Sequence, residues 1–238
     1  MRYRIFLAGA TGVIGRRLAV LLRDANHHVI GTTRDASKAD ALRAIGIEPV
    51  VVDVFDAPAL TRAVADANPE IVIHQLTDLP RGLDPAKMDE AIRRNARLRA
   101  EGTRNLVDAA VAAGARRVIA QSIAWAYAPG PEPHVENDPL DSGAQGVRAI
   151  SVGGIVALER AVLEAPLEGI VLRYGQLYGP GTGTDAATGA SPVHVDAATR
   201  AALLAVDRGT RGVYNIAEPN PHVDTTKARK ELGWDAAS

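Results

Sequence analysis

Three glycines at a spacing of three, Gly9, Gly12 and Gly15, stand between a short apolar run, Ile5-Phe6-Leu7-Ala8, and a stretch with helical periodicity. In Leu7-Ala8-Gly9-Ala10-Thr11-Gly12-Val13-Ile14-Gly15-Arg16 the first glycine permits a tight turn, the second lets a backbone approach a pyrophosphate, and the third allows close helix-to-strand packing. A helix opening here offers unpaired N–H groups and about half a positive charge to an anion. A glycine pattern alone is a weak signal; strand before and helix after make it a useful one. The competing reading is a glycine-rich turn that holds no ligand.

The rest of the chain follows the same alternation. Strands are expected at Arg4 to Ala8, His28 to Thr32, Ile47 to Asp53, Glu70 to Gln75, Arg117 to Gln121 and Gly169 to Tyr174. Helical periods fill the gaps at Gly12 to Asp24, Ser37 to Ile45, Ala57 to Ala67, Pro85 to Ala113 and Val147 to Glu164. Such alternation implies parallel βαβ units, and runs such as Val50-Val51-Val52 suit strands covered on both faces. The expected fold is α/β, a Rossmann-type doubly wound parallel sheet with a small, reduced C-terminal substrate lobe. Residues 1–174 form the dinucleotide-binding part. Residues 175–238 start with a glycine-rich irregular loop, Gly175 to Pro192, and continue with a helix from Val195 to Val206, a strand at Val213 to Ala217 that returns to the sheet, and a helix from Thr225 to Leu232. The nearest approach to a linker is Ala128 to Leu140, with its four prolines.

Composition narrows the partners. The 238 residues include no cysteine, and 27 basic against 28 acidic side chains leave a net charge of -1. A domain of this size buries roughly 70–75% of its unfolded surface and needs neither disulfides nor a structural metal. The wide basic field of a nucleic-acid binder is missing. The N-terminal apolar run is too short for a signal core or a membrane span, which points to the cytoplasm. Histidines are scattered without ligand spacing, so no metal site is expected. Neither a Gly-x-Ser-x-Gly elbow nor a P-loop lysine occurs, which removes hydrolase and kinase readings.

On these residues the sequence resembles the extended and atypical branches of the short-chain dehydrogenase/reductase superfamily, in particular the NAD-dependent epimerase/dehydratase-like proteins. Besides the glycine loop, the resemblance rests on Val52-Asp53-Val54, on Ile73-His74-Gln75-Leu76-Thr77, and on Asn95 with Gly102-Thr103-Arg104-Asn105-Leu106. It continues in Leu172-Arg173-Tyr174-Gly175-Gln176-Leu177-Tyr178-Gly179-Pro180-Gly181, His194-Val195-Asp196 and Tyr214-Asn215-Ile216-Ala217. The resemblance implies that Gly9, Thr11, Gly12, Val13, Ile14 and Gly15 cradle the pyrophosphate. Asp53 would bond the adenine amino group with Val54 against the ring, and Gln75, Leu76 and Thr77 would line the nicotinamide ribose. Asn95 joins the cofactor set, and Tyr174, Gly175 and Gln176 would bring backbone near the nicotinamide. For Asp53 the plainer role is a turn residue, and for Asn95 a satisfied polar group on a buried helix.

Cofactor choice is read at the end of the second strand, where an acid binds a ribose 2′-hydroxyl and a basic residue accepts a 2′-phosphate. Arg34 stands there, with Thr33 adding a hydroxyl, so NADP(H) is favoured over NAD(H). The counter-reading turns Asp35 toward the ribose and leaves Arg34 solvated.

The resemblance fails at one place. Proton transfer in that superfamily uses a Tyr-x-x-x-Lys pair, in which the lysine lowers the phenol pKa. Here Ser151 and Ile155 occupy the two positions, and the only lysines are Lys38, Lys87, Lys227 and Lys230. The catalytic serine position falls on Ile123, one residue after Ser122, which is expected to face the cofactor or to cap a strand end. Substitute proton donors are Tyr127, ranked first, then Tyr174, Tyr178 and Ser151; His194 is expected to be architectural. The sequence thus reads as an NADP(H)-dependent oxidoreductase or epimerase-like enzyme acting on a small molecule through a non-standard donor. A non-catalytic NADP(H)-binding sensor or regulatory protein, and a redox-neutral isomerase or cyclase, stay open as alternatives. The resemblance also implies a homodimer paired through the long helices.

Overall fold

Successive side chains of β1 (Arg4–Ala8) enter opposite layers, as a strand's two-residue period requires. Ile5 and Leu7 pack with Leu18 and Leu22 of α1 (Val13–Asp24). Phe6 and Ala8 pack on the other side with Val64 and Leu106. The structure is a computed structural model that describes residues 1–80 and 84–237. In chain order its further elements are β2 (His28–Thr33), α2 (Ala39–Ala44), β3 (Glu48–Val51), α3 (Ala57–Ala67), β4 (Ile71–His74), α4 (Met88–Arg97), α5 (Thr103–Ala112), β5 (Arg117–Ile123), α6 (Gly146–Glu164), β6 (Glu168–Tyr174), β7 (Gln176–Tyr178), β8 (Pro192–His194), α7 (Val195–Leu204) and β9 (Gly212–Ile216).

Seven strands form one parallel sheet in the order β3-β2-β1-β4-β5-β6-β9. This is the doubly wound arrangement expected from the sequence, with the late strand added beside β6. Local chemistry sets the helix ends: the Asp56 carboxylate accepts from Ala59 N–H at 3.0 Å, Pro58 occupies the first turn of α3, and Asn68 ends the helix at a φ of 42°. Trp234 closes the first core layer and donates its indole N–H to the Ala197 carbonyl at 2.8 Å.

Three expectations change. The long helix predicted over Pro85 to Ala113 is broken: a 3-10 turn (Pro85–Lys87) precedes α4, and a π-helical turn (Leu98–Gly102) separates α4 from α5. Hydrophobic periodicity does not register a one-residue expansion within a helix. The loop expected from Gly175 to Pro192 contains β7 and meets β8 in a small parallel pair, Gln176 opposite Pro192 and Tyr178 opposite His194; strands of three residues carry no readable alternation. Ala128 to Leu140 is no linker. Its backbone bonds His222 and Asp224 through His134, and the Glu136 side chain accepts from Asn215 N–H on β9 at 2.9 Å.

Candidate functional site

The strand order reverses between β1 and β4, and the carboxyl ends of these neighbours open the crevice in which such sheets hold ligands. Gly9 turns there with a φ of 88°, and a Cβ on it would lie 2.7 Å from the Gln75 carbonyl oxygen. On Gly15 a Cβ would overlap the Gly9 carbonyl oxygen, so α1 starts against the loop. Gly12 caps α1 with exposed, extended backbone, and neither a side-chain cap nor an acidic residue fills the first turn. Thr11 and Val13 are half-buried beside it, and Ile14 anchors the turn in the core. Gln75 donates to the Tyr174 hydroxyl at 3.4 Å, while its own buried Oε1 has no partner among the described residues. An open glycine cradle, an uncapped helix start and an orphaned acceptor on one crevice fit a dinucleotide.

At the end of β2, the Thr33 hydroxyl is buried and accepts from Asp35 N–H at 3.1 Å. Arg34 is exposed and reaches Asp78 at 3.4 Å; Arg94 meets the same carboxylate at 3.4 Å. The Asp35 carboxylate is already engaged by Ser37 N–H at 3.0 Å and the Ser37 hydroxyl at 2.6 Å, bonds that hold it below the usual carboxylate range. Asp53 is exposed and accepts from Phe55 N–H at 2.9 Å, a turn geometry that leaves room for a further donor. The Val54 side chain departs from expectation. It is committed to the core against Leu98 and Gly102, with its carbonyl bonded by Asn105, because the turn after β3 docks on the bend between α4 and α5.

After β4, Leu76 donates its N–H to His74 Nδ1 at 3.1 Å and accepts from Gln121 at 2.9 Å, while Thr77 is exposed. The buried Asn95 carbonyl oxygen accepts from Asp78 N–H at 3.0 Å, so its observed bond shapes the loop after β4. His74 accepts at Nδ1, leaves its proton on Nε2 and shares it with Thr103 at 2.9 Å. Burial first, and the Arg99 charge second, lower its pKa to about 4. The unfolded histidine takes up a proton near its ordinary value while the folded one refuses it, so stability falls as pH drops through this window. Between pH 7 and pH 5 the wild type is expected to lose about 2 kcal/mol more than His74→Gln in urea titrations. Equal losses in the two proteins would remove His74 as the cause.

Three of the residues expected to transfer a proton, Ser122, Tyr127 and Tyr178, have their hydroxyls bonded to other side chains. Ser122 donates to Glu159 Oε1 at 2.7 Å, inside a buried network in which Arg173 bonds both Glu159 oxygens at 2.9 and 2.7 Å. The Ser122 hydroxyl proton is thereby committed to the brace between the sheet and α6. Tyr127 donates to Asn215 at 2.7 Å, stacks on His134 at 4.8 Å and lies beneath the Arg173 guanidinium. Burial raises its pKa, as it does that of Tyr174; the Tyr178 hydroxyl is bonded to Glu218 at 2.7 Å, which raises it too. None of the three is tuned toward neutrality. Ser151 stays half-buried on α6 with no bond among the described residues. Gly175 N–H is taken by the Ile216 carbonyl and Gln176 N–H by the Ser191 carbonyl, so these backbone donors are occupied, while Gln176 Oε1 accepts from the Ser191 N–H and hydroxyl. Where the serine and lysine were expected, Ile123 and Ile155 instead form an apolar cluster with Ala126. Sequence reasoning missed the Glu159–Arg173 pair as a unit; its only signal was a glutamate one helical turn after Ile155.

Comparison with known proteins agrees with this geometry. The model of the NAD-dependent epimerase/dehydratase family matches residues 5–210. A Streptomyces protein named 3-diazoavenalumate denitrifying reductase is 49% identical over 183 residues, which are 76% of this chain and 58% of that protein; the chain thus spans under two thirds of that relative's length. Among solved structures, the UDP-glucose 4-epimerase of Thermotoga maritima, with UDP-glucose, superposes with a TM-score of 0.77 at 21% identity, covering 99% of this chain and 94% of that one. The Bordetella bronchiseptica enzyme WbmH, in complex with NAD+, gives 0.79 at 17% identity, covering 99% and 93%. At these identities the structures establish the shared fold. Among the described residues no helix is long and apolar enough to cross a membrane.

Proposed function

We propose that this chain, which belongs to the NAD-dependent epimerase/dehydratase family, is an NADP(H)-dependent reductase that removes dinitrogen from a small diazo acid. The observation that carries the reading is the apolar Ile123–Ala126–Ile155 cluster at the expected proton-transfer positions. Reduction of a carbonyl develops an alkoxide that needs a proton. A diazonium carbon does not: hydride forms the new C–H bond, the C–N bond breaks, and its electron pair leaves with neutral N2. No acid or base enters that balance. A buried apolar cluster in place of the usual polar pair is then no handicap to the step. The name of the Streptomyces relative supports this substrate class.

Bound reduced nicotinamide supplies the hydride. The chain's own part is to hold the dinucleotide on the Gly9, Gly12 and Gly15 cradle, with Gln75 Oε1 free to accept from it. Preference for the 2′-phosphate is supported at β2. Asp35 is engaged in its turn, while Arg34 is exposed and, among the described residues, tied by one surface ion pair of about 0–1 kcal/mol, easily exchanged for phosphate. Arg94 keeps Asp78 paired when Arg34 moves.

The test combines cofactor binding with turnover. A 15N-labelled hydroxybenzenediazonium carboxylate and deuterated NADPH should give one 15N2 per NADPH consumed, with deuterium at the former diazo carbon. Arg34→Ala should weaken NADPH by roughly 10- to 100-fold and NADH far less. Equal losses for the two cofactors, or consumption of NADPH by a carbonyl panel without nitrogen release from the diazonium compound, would overturn the respective half of the reading.

A further inference from the structure

We infer that the Arg99 guanidinium anchors a carboxylate on the small molecule that this crevice takes. Arg99 lies in the π-helical turn Leu98–Gly102, and such irregularities are frequent at functional sites. One turn before it Asn95 holds the loop after β4, and one turn after it Thr103 bonds His74. Helix α6 crosses the same stretch so closely that a Cβ on Gly154 would sit 2.8 Å from the Ala96 Cα. Arg99 is thereby held between the end of β4 and α6, near enough to His74 and Glu159 to act electrostatically on both.

Its charge has no direct counterpart. The residue is half-buried, and among the described residues its guanidinium makes no hydrogen bond and no ion pair. Glu159 does not fill that role, because its Oε1 already accepts from Ser122 and Arg173 and its Oε2 from Arg173. His74 is neutral at physiological pH. Burial lowers the Arg99 pKa to about 10, which leaves it cationic in a poorly solvated place. A half-buried guanidinium that no protein carboxylate meets among the described residues keeps its N–H donors available for an anion. The planar fork of a guanidinium matches a carboxylate through two parallel bonds. A single uncompensated charge beside Glu159 favours a monoanion over a doubly charged phosphate.

This inference rests on the proposed reductase reading only for the identity of the acid. It is tested without turnover, by calorimetric titration of the NADP+-loaded protein with 4-hydroxycinnamate and with its methyl ester. The wild type is expected to bind the acid 10- to 100-fold more tightly than the ester, on the order given by charge-assisted hydrogen bonds. Arg99→Met should abolish that preference without changing NADP+ affinity, and Arg99→Lys, which keeps the charge and loses the fork, should retain only part of it. Equal binding of acid and ester by the wild type, or a preference that survives in Arg99→Met, overturns the anchor. Should Arg99→Met not fold, an undiminished preference in Arg99→Lys does the same. Acid-selective binding in a protein that releases no nitrogen from diazonium compounds would condemn the reductase reading and leave the anchor standing.

Discussion

Gly15→Ala is expected to lose at least about 3 kcal/mol of stability together with its dinucleotide binding, whereas Gly12→Ala keeps the fold and loses only affinity. The two glycines belong to one motif but meet different neighbours. A Cβ on Gly15 would overlap the Gly9 carbonyl oxygen and come within 3.1 Å of the Ala10 Cα, and both are backbone atoms with no rotamer to escape into. On Gly12 the nearest atom is the Gly9 oxygen at 3.3 Å, and the residue otherwise faces the crevice. Urea unfolding and NADPH titration of both variants separate the effects. A stable Gly15→Ala protein that binds NADPH normally would show that α1 can draw back from β1 without consequence.

The second large effect is expected at Glu159. Glu159→Gln leaves the buried Arg173 guanidinium without its charge partner and deprives nearby Arg99 of the negative charge that, among the described residues, acts on it. Removing one member of a buried pair in this way costs about 3–5 kcal/mol. Arg173→Met should cost less, because Arg99 remains to face the carboxylate. Urea midpoints of the two variants, measured side by side at neutral pH, decide the order. If Arg173→Met proves the worse, Arg99 is too distant to answer for Glu159, and its placement between α6 and β4 must be revised.

Much of the site was legible because its chemistry is local. Gly12 and Gly15 act through steric contacts with Gly9 and Ala10, within seven residues of chain, so the spacing carries the information, although Gly9 itself is pressed against Gln75 on the neighbouring strand end. The absence of a lysine at position 155 was equally plain in the sequence. What replaced it was not. Ile123 and Ile155 lie 32 positions apart, and only the packing of α6 against the end of β5 turns two separate apolar residues into one wall. Tyr127 misled for the same reason: a tyrosine after the fifth strand is a reasonable proton donor until Asn215, on a strand that enters the sheet 88 residues later, takes its hydroxyl.

The sequence by itself determined the parallel α/β sheet, the glycine turn that opens α1 and the loss of the usual proton-transfer pair, because each depends on periodicity or on residues close together in the chain. Only the tertiary structure decided which polar groups are satisfied. Gln75, Glu159 and Arg99 look alike as isolated letters, yet one keeps an orphaned acceptor, one is saturated and one is left with an uncompensated charge. Hydrogen-bond satisfaction and charge balance are sums over neighbours in space, and no window along the chain contains those neighbours.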